Sequence, residues 1–212
     1  MDKKVLRNLS YGVYVVTTKD NDKNVGCIAN SVMQITSSPS IVAISINHDN
    51  YTNKCIKENN TFAVSILKED SEPKIIGEFG FKTSKDTNKF ENIDYEIKDD
   101  MPIINDSCGY FICKVINTIE TSTHTIFLGE IINMDGFTND NPMTYKYYHE
   151  KLKGTSPKNA PTYLEEIIKK EEKSTKKWKC KICGYVYEGE KVPEDYICPI
   201  CGQPHTEFYE VN

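Results

Sequence analysis

No stretch of the chain reaches the roughly 18 continuous apolar residues that a membrane-spanning helix needs. Its first twelve residues, MDKKVLRNLSYG, lack the apolar core of a secretory signal, so the chain is expected to be cytoplasmic. Basic residues are not in excess: 26 Lys and Arg against 31 Asp and Glu give a formal net charge of −5. A nucleic-acid binder would show a clustered basic face, so neither nucleic acid nor membrane is an expected partner. There is no Gly-x-Gly-x-x-Gly fingerprint and no Walker loop, and the residue order argues no Ser-His-Asp arrangement. No internal repeat is evident beyond two cysteine pairs. What remains is a chain of 212 residues, 38% hydrophobic and 27% charged. That composition fits an ordinary soluble protein with one medium domain and a small one.

Cysteine is where the chain departs from the ordinary. Four of its eight cysteines, Cys180, Cys183, Cys198 and Cys201, form two Cys-x-x-Cys pairs separated by 14 residues. In a reducing compartment such pairs point to metal or redox chemistry rather than to structural disulfides. A spacing of two lets one tight turn present both sulfurs to one ion. Gly184 and Gly202, each just after the second cysteine of its pair, allow the positive φ such a turn often needs. Amides in that turn can then point at the thiolates and tune the metal. Four sulfurs in a tetrahedron select zinc or iron, and spacing alone leaves both open. The scattered Cys27, Cys55, Cys108 and Cys113 are expected as small buried apolar residues.

Before the cysteine pairs, residues 1 to about 150 read as one β-rich unit. Residues 11–18, 41–46, 62–67, 109–119 and 125–132 are β-branched and aromatic runs between Asn/Asp/Gly/Pro clusters, which are strand signals. They recur with too little helix between them for a doubly wound parallel sheet, so a closed antiparallel barrel is expected. One helix is expected over residues 51–58, with a few short ones elsewhere. After Tyr148, Gly154, Pro157 and Pro161 punctuate a loop. Thr162 and Glu165 then offer a capping box for a charged linker helix running to Lys177.

Two resemblances add to this. Cys180-x-x-Cys183-Gly184-Tyr185-x-Tyr187-x-Gly189, then Pro193 and Cys198-Pro199-x-Cys201-Gly202, resembles rubredoxin. The short gap between the pairs is similar to the compact rubredoxin-like domain of rubrerythrins. That resemblance implies one iron per chain, with zinc able to occupy the same site on overexpression. The second lies in residues 5–163. The runs Leu9–Thr17, Ala29–Pro39, Ile44–Thr52, Gly77–Ser84, Thr123–Glu130, Pro142–His149 and Pro157–Tyr163 resemble the flavin reductase-like, FMN-binding split barrel. A barrel similar to ferric reductases and flavoredoxins with a rubredoxin tail resembles the arrangement called high-molecular-weight rubredoxin. The fold class implied is mainly β: a flavin reductase-like domain over 1–155, a linker over 156–176 and a rubredoxin-like domain over 177–212.

Carried over position by position, the resemblance implies that Asn30, Ser31 and Val32 contact the flavin ring. Asn47, His48, Asn50 and Thr52 would lie along the ribityl-phosphate, with Lys82 and Ser84 holding the phosphate. His48 stands where relatives often have Lys, which would make the charge there pH-dependent. His124 would approach the nicotinamide or the reactive edge of the flavin and is the candidate catalytic residue. His149 reads as interfacial or structural, and His205 is not expected to replace a thiolate. The function implied is an NAD(P)H-dependent oxidoreductase, passing electrons through FMN to iron and on to a redox partner such as a flavodiiron oxygen or nitric oxide reductase. A homodimer is implied as well. Three alternatives stay open: a free flavin or ferric reductase with an accessory tail, a shuttle reduced by a separate enzyme, and a zinc-stabilised binding module.

Overall fold

The computed structural model describes residues 3–152, 154, 160, 162 and 176–211. The charged linker helix and its capping box lie outside the described residues, apart from Thr162 itself. Among the described residues no helix is long and apolar enough to cross a membrane.

The β-rich reading of the first 150 residues is borne out. Seven strands, β1 (Tyr14–Asp20), β2 (Lys23–Ala29), β3 (Val32–Ser37), β4 (Ser40–Asn47), β5 (Thr61–Ile66), β8 (Gly109–Glu120) and β9 (His124–Gly136), form one sheet. Its order is β2-β1-β5-β8-β9-β4-β3, and every neighbouring pair is antiparallel. Between β5 and β8 come β6 (Tyr95–Lys98) and β7 (Met101–Ile104). The expected strands therefore form, but β2 and β3 were not anticipated: Lys23–Ala29 holds a Gly, a Cys and two polar residues, and Val32–Ser37 is largely exposed. The ring is also not closed by hydrogen bonds. β2 and β3 are the two ends of the ladder, and no strand pairing among the described residues joins them. The chain passes between those ends through Asn30 and Ser31, which places both residues at the mouth of the opening.

Inside the curl of the sheet, Val16, Cys27, Val42, Ile44, Ile46, Ile56, Phe62, Val64, Cys113 and Phe127 make a buried core. Register slips on β8 and β9, at Ile112/Cys113 and Val115/Asn117, supply the bends that a long ribbon needs to curl. The β6–β7 hairpin turns on Asp99 and Asp100, both at positive φ, the two-residue turn whose twist matches its strands. Two buried hydroxyls seat it on the sheet: Thr17 donates to the Pro102 carbonyl at 2.6 Å, and Ser65 accepts from the Ile104 amide at 3.0 Å.

Among the described residues three α-helices pack around the sheet. The expected helix is α1 (Tyr51–Asn59), capped by Asn50, whose side chain accepts from the Thr52 amide at 3.0 Å. It ends where Asn60 takes the left-handed conformation and returns its amide to Ile56. α2 (Pro73–Phe81) opens with Pro at its first position and is mostly apolar, which requires cover on more than one side. α3 (Tyr145–Glu150) is a short turn capped by Thr144. The C-terminal unit is a three-stranded sheet, β11-β10-β12, made of β10 (Lys177–Cys180), β11 (Val186–Glu188) and β12 (Phe208–Val211).

Candidate functional site

The two cysteine pairs fold as matching turns. In the first, the Cys180 amide donates to Tyr185 O at 2.8 Å and the Gly184 amide to Cys180 O at 2.9 Å. In the second, the Cys198 amide donates to Gln203 O at 2.8 Å and the Gly202 amide to Cys198 O at 2.9 Å. Gly184 sits at φ 77° and Gly202 at φ 68°, the left-handed geometry anticipated for them. The result brings Cys180 Sγ to 3.7 Å from Cys201 Sγ, and Cys183 Sγ to 3.5 Å from Cys198 Sγ. All four sulfurs are buried and lie within 4.8 Å of one another. A tetrahedral ion with bonds of about 2.3 Å has sulfur–sulfur edges of about 3.8 Å, so the set fits a four-thiolate metal.

The electrostatics favour a metal too. Cys198 is pulled down, first because the neighbouring thiols of Cys183 and Cys201 donate to its sulfur, then through the Ile200 and Cys201 amides. Cys183 is pushed up, first by its hydrogen bonds to the Cys198 and Cys201 sulfurs, against a smaller pull from the Tyr185 amide. Cys201 is pushed up as well: its hydrogen bond with Cys183 lowers it, but that with Cys198 and burial outweigh this, with only a smaller pull from the Gln203 amide. A cation relieves the mutual repulsion of four such groups and displaces the protons that remain. Tyr185, Tyr187, Tyr196 and Phe208 pack edge-to-face around the centre, keeping water from it.

Of the residues expected around a flavin, Asn30, Ser31, Asn50, Thr52 and Ser84 lie along β2 or just beyond its end. At its far end Asn30, buried, donates to the Thr162 hydroxyl at 3.1 Å and accepts from the Ser31 hydroxyl at 3.0 Å. Ser31 O accepts from the Ser45 amide at 3.0 Å, tying this corner to β4, and Val32 starts β3 opposite Ile44. One step back, the buried Cys27 lies beside Thr52 and Asn50 at the start of α1. At Gly26, the buried Ser84 hydroxyl accepts from the Gly26 amide and donates to its carbonyl, both at 3.1 Å. Ser84 is thus committed to β2 rather than free for a phosphate, and Lys82 is paired with Glu78 at 2.5 Å.

Asn47 caps its own turn, accepting from the Asp49 amide at 2.8 Å, and stands opposite His124 in the β4–β9 register. His124 Nδ1 lies 2.8 Å from the Thr123 hydroxyl. His48 meets Glu120 at 2.9 Å. The Glu120 carboxyl is held below its usual range, first by its hydrogen bond from Lys57. These groups gather at one end of β4 and β9.

One residue escapes sequence reasoning. Lys89 is 3% exposed and donates to Gly26 O at 2.9 Å and Phe79 O at 3.4 Å. Burial pushes its amine down to about 8. Nothing in the charged run Lys82–Lys89 marks it off from its neighbours; only the fold folds it inward. Of the scattered cysteines, Cys27, Cys55 and Cys113 are buried as expected, and Cys108 is only partly so.

Comparison with known proteins agrees with both halves. The flavin reductase like domain model matches residues 6–156, and the rubredoxin-like domain model of rubrerythrin matches residues 178–209. The chain belongs to the flavin reductase-like family and ends in a rubredoxin-like domain.

Within this family, the chain is 35% identical to the high molecular weight rubredoxin of Moorella thermoacetica, over the whole of both chains. It is also 35% identical to the ferric-chelate reductase (NAD(P)H) of Archaeoglobus fulgidus, over 78% of this chain and 99% of that one. Among solved structures, the NADH:FAD oxidoreductase SgcE6 of Streptomyces globisporus superimposes with a TM-score of 0.62 at 26% identity, covering 67% of this chain and 85% of that chain. The flavin reductase-like domain is therefore the β unit, and the four-cysteine site is its rubredoxin-like appendage.

Proposed function

We propose that this protein is an NAD(P)H-dependent oxidoreductase that passes electrons through FMN to a rubredoxin-type iron centre and on to a redox protein. The observation that carries the reading is the joining, in one chain, of a flavin reductase-like domain and four buried thiolates spaced for one metal. Similarity to the Moorella protein over the full length of both chains supports keeping the two as one functional unit. We divide the chain at 1–155, 156–176 and 177–212.

A bound flavin supplies the step from a two-electron hydride donor to one-electron delivery. The residues present fit such a group: an amide and a hydroxyl at Asn30 and Ser31, the backbone at Val32, and Asn47, His48, Asn50 and Thr52 around the start of α1. A phosphate wants hydroxyls, amides and a cation. Lys82 supplies the cation, whereas Ser84 and the buried Lys89, both bonded to Gly26, brace β2 beneath it. His124, oriented by Thr123, borders the nicotinamide. Cys180, Cys183, Cys198 and Cys201 hold one iron per chain, and the aromatic shell keeps that centre dry.

The protein acts as a homodimer in the cytoplasm. Met33, Ile35, Ile116, Ile119, Ile132 and Met134 are exposed on β3, β8 and β9, a spread of apolar surface suited to a second copy. The downstream acceptor is a redox protein such as a flavodiiron oxygen or nitric oxide reductase. The similarity to a ferric-chelate reductase favours one second reading: a ferric or free flavin reductase whose tail is accessory.

An anaerobic visible spectrum before and after NADH tests the proposal. A flavin band over ferric-thiolate charge transfer, both bleaching, is the expected result. Bands that NADH leaves unmoved would make the protein a shuttle fed by another enzyme. A colourless protein carrying stoichiometric zinc from its native host would end the electron-transfer reading. Turnover unaffected by deleting residues 177–212 would favour the ferric or free flavin reductase.

A further inference from the structure

The four-cysteine unit does not hang free of the β domain. Its second turn lies on one side of α2, where Lys74 and Gly77, three residues apart, share a helix face. A Cβ placed on Gly77 would stand 2.6 Å from the Cys201 carbonyl oxygen and 3.0 Å from the Cys201 Cβ. A Cβ on Gly202 would stand 3.4 Å from the Lys74 Cβ. Ile75, Ile76 and Phe79 of α2 and Tyr148 of α3 share one buried cluster with Cys180, Cys183, Cys198, Cys201 and Ile200.

A continuous line of contacts also joins this seat to the mouth of the flavin pocket. Asn30 donates to Thr162, and the Thr162 hydroxyl donates to Tyr145 Oη at 2.7 Å. The Tyr145 ring then stacks on that of Tyr148, centroid to centroid 6.2 Å. Tyr148 is 4% exposed, sealed between the helix and the cysteines.

We propose that α2 and Tyr148 form a docking seat for this chain's own rubredoxin-like unit, that Gly77 is the residue permitting the approach, and that electron exchange runs through this seat. The inference rests on the function proposed above, in which one electron leaves the reduced flavin and a ferric centre becomes ferrous, with no bond at the cysteines made or broken. Domains in one chain move freely unless their interface is large and apolar. Here the apolar seat, rather than the tether, fixes where the metal sits. An outside partner then works on the face of the unit turned away from α2.

Two alanine substitutions in the same helix test this on the full flavin- and iron-loaded chain. Alanine is a better helix former than glycine, so neither substitution weakens α2 itself. A Cβ at Gly80 meets Ile28 Cγ1 at 3.5 Å and Ile28 Cβ and Ile76 Cγ2 at 3.8 Å, all ordinary contacts, so Gly80→Ala is the control. Gly77→Ala must push the unit off its seat. The expected result is amide exchange about tenfold faster over residues 73–81 and 198–202, the scale set by the usual cost of overpacking. Iron bleaching after NADH should slow with it, while flavin bleaching and the ferric-thiolate spectrum stay as in Gly80→Ala. Unchanged exchange together with unchanged iron bleaching would overturn the proposal. So would wild-type iron bleaching whose rate climbs with protein concentration, which would place the exchange between molecules. A wild-type flavin that NADH fails to bleach would instead defeat the functional reading, and the exchange measurement would still decide the docking.

Discussion

An ammonium group stripped of water costs free energy, and Lys89 shows it: burial lowers its amine from 10.5 to about 8. The folded value lies below the unfolded one, so between those pH values the unfolded chain binds more protons and stability rises with pH. Below about pH 8 the cost is present in full. Across the window the gain amounts to about 3 kcal/mol. Urea melts of flavin-stripped protein at pH 7.5 and 10 should show that rise, about as large as the shift implies, and Lys89→Met should abolish it. An identical slope in the variant would mean that another group titrates there. The cysteines make a separate prediction. Cys198→Ser removes the sulfur on which Cys183, Cys201 and two amides converge, so the ferric-thiolate band should vanish while NADH still bleaches the flavin. Loss of flavin bleaching as well would show that the two centres are not separable in this way.

The start of α1 depends on Asn50, whose side chain satisfies the Thr52 amide. Asn50→Ala should destabilise the protein by about 1 kcal/mol and weaken flavin binding, whereas Asn50→Ser should retain most of both. Urea denaturation and flavin titration report the two effects separately. Flavin affinity untouched by Asn50→Ala would remove α1 from the cofactor site. The legibility of elements varied for physical reasons. β4 and β5 read clearly because each is a mostly buried run dominated by apolar and β-branched residues. β3 did not, because it is an exposed end strand held mainly by its pairing to β4. α2 was not placed because a mostly apolar helix with two covered sides shows no one-sided stripe, and its second cover comes from a unit more than 100 residues away in sequence.

At the scale of the whole molecule, the homodimer proposed above rests on the apolar residues left outside the sheet. Ile132 and Met134, two apart on β9, point the same way and are both exposed. Replacing both with lysine should halve the mass found by sedimentation equilibrium. A wild-type monomer, or a double variant that stays dimeric, would remove this face from the assembly.

The sequence by itself determined whatever depends on near neighbours. The metal ligands and the positive φ of Gly184 and Gly202 follow from spacing, since a Cys-x-x-Cys-Gly turn builds its geometry within six residues. The same holds for α1 with its Asn50 cap. Only the tertiary structure decided what depends on distant pairing. It spent the Ser84 hydroxyl on Gly26, 58 residues away. It buried Lys89 against the same glycine. It brought Cys201 onto Gly77. A hydroxyl, an amine and a glycine carry no local mark of such roles, because each is set by the group that the fold places opposite.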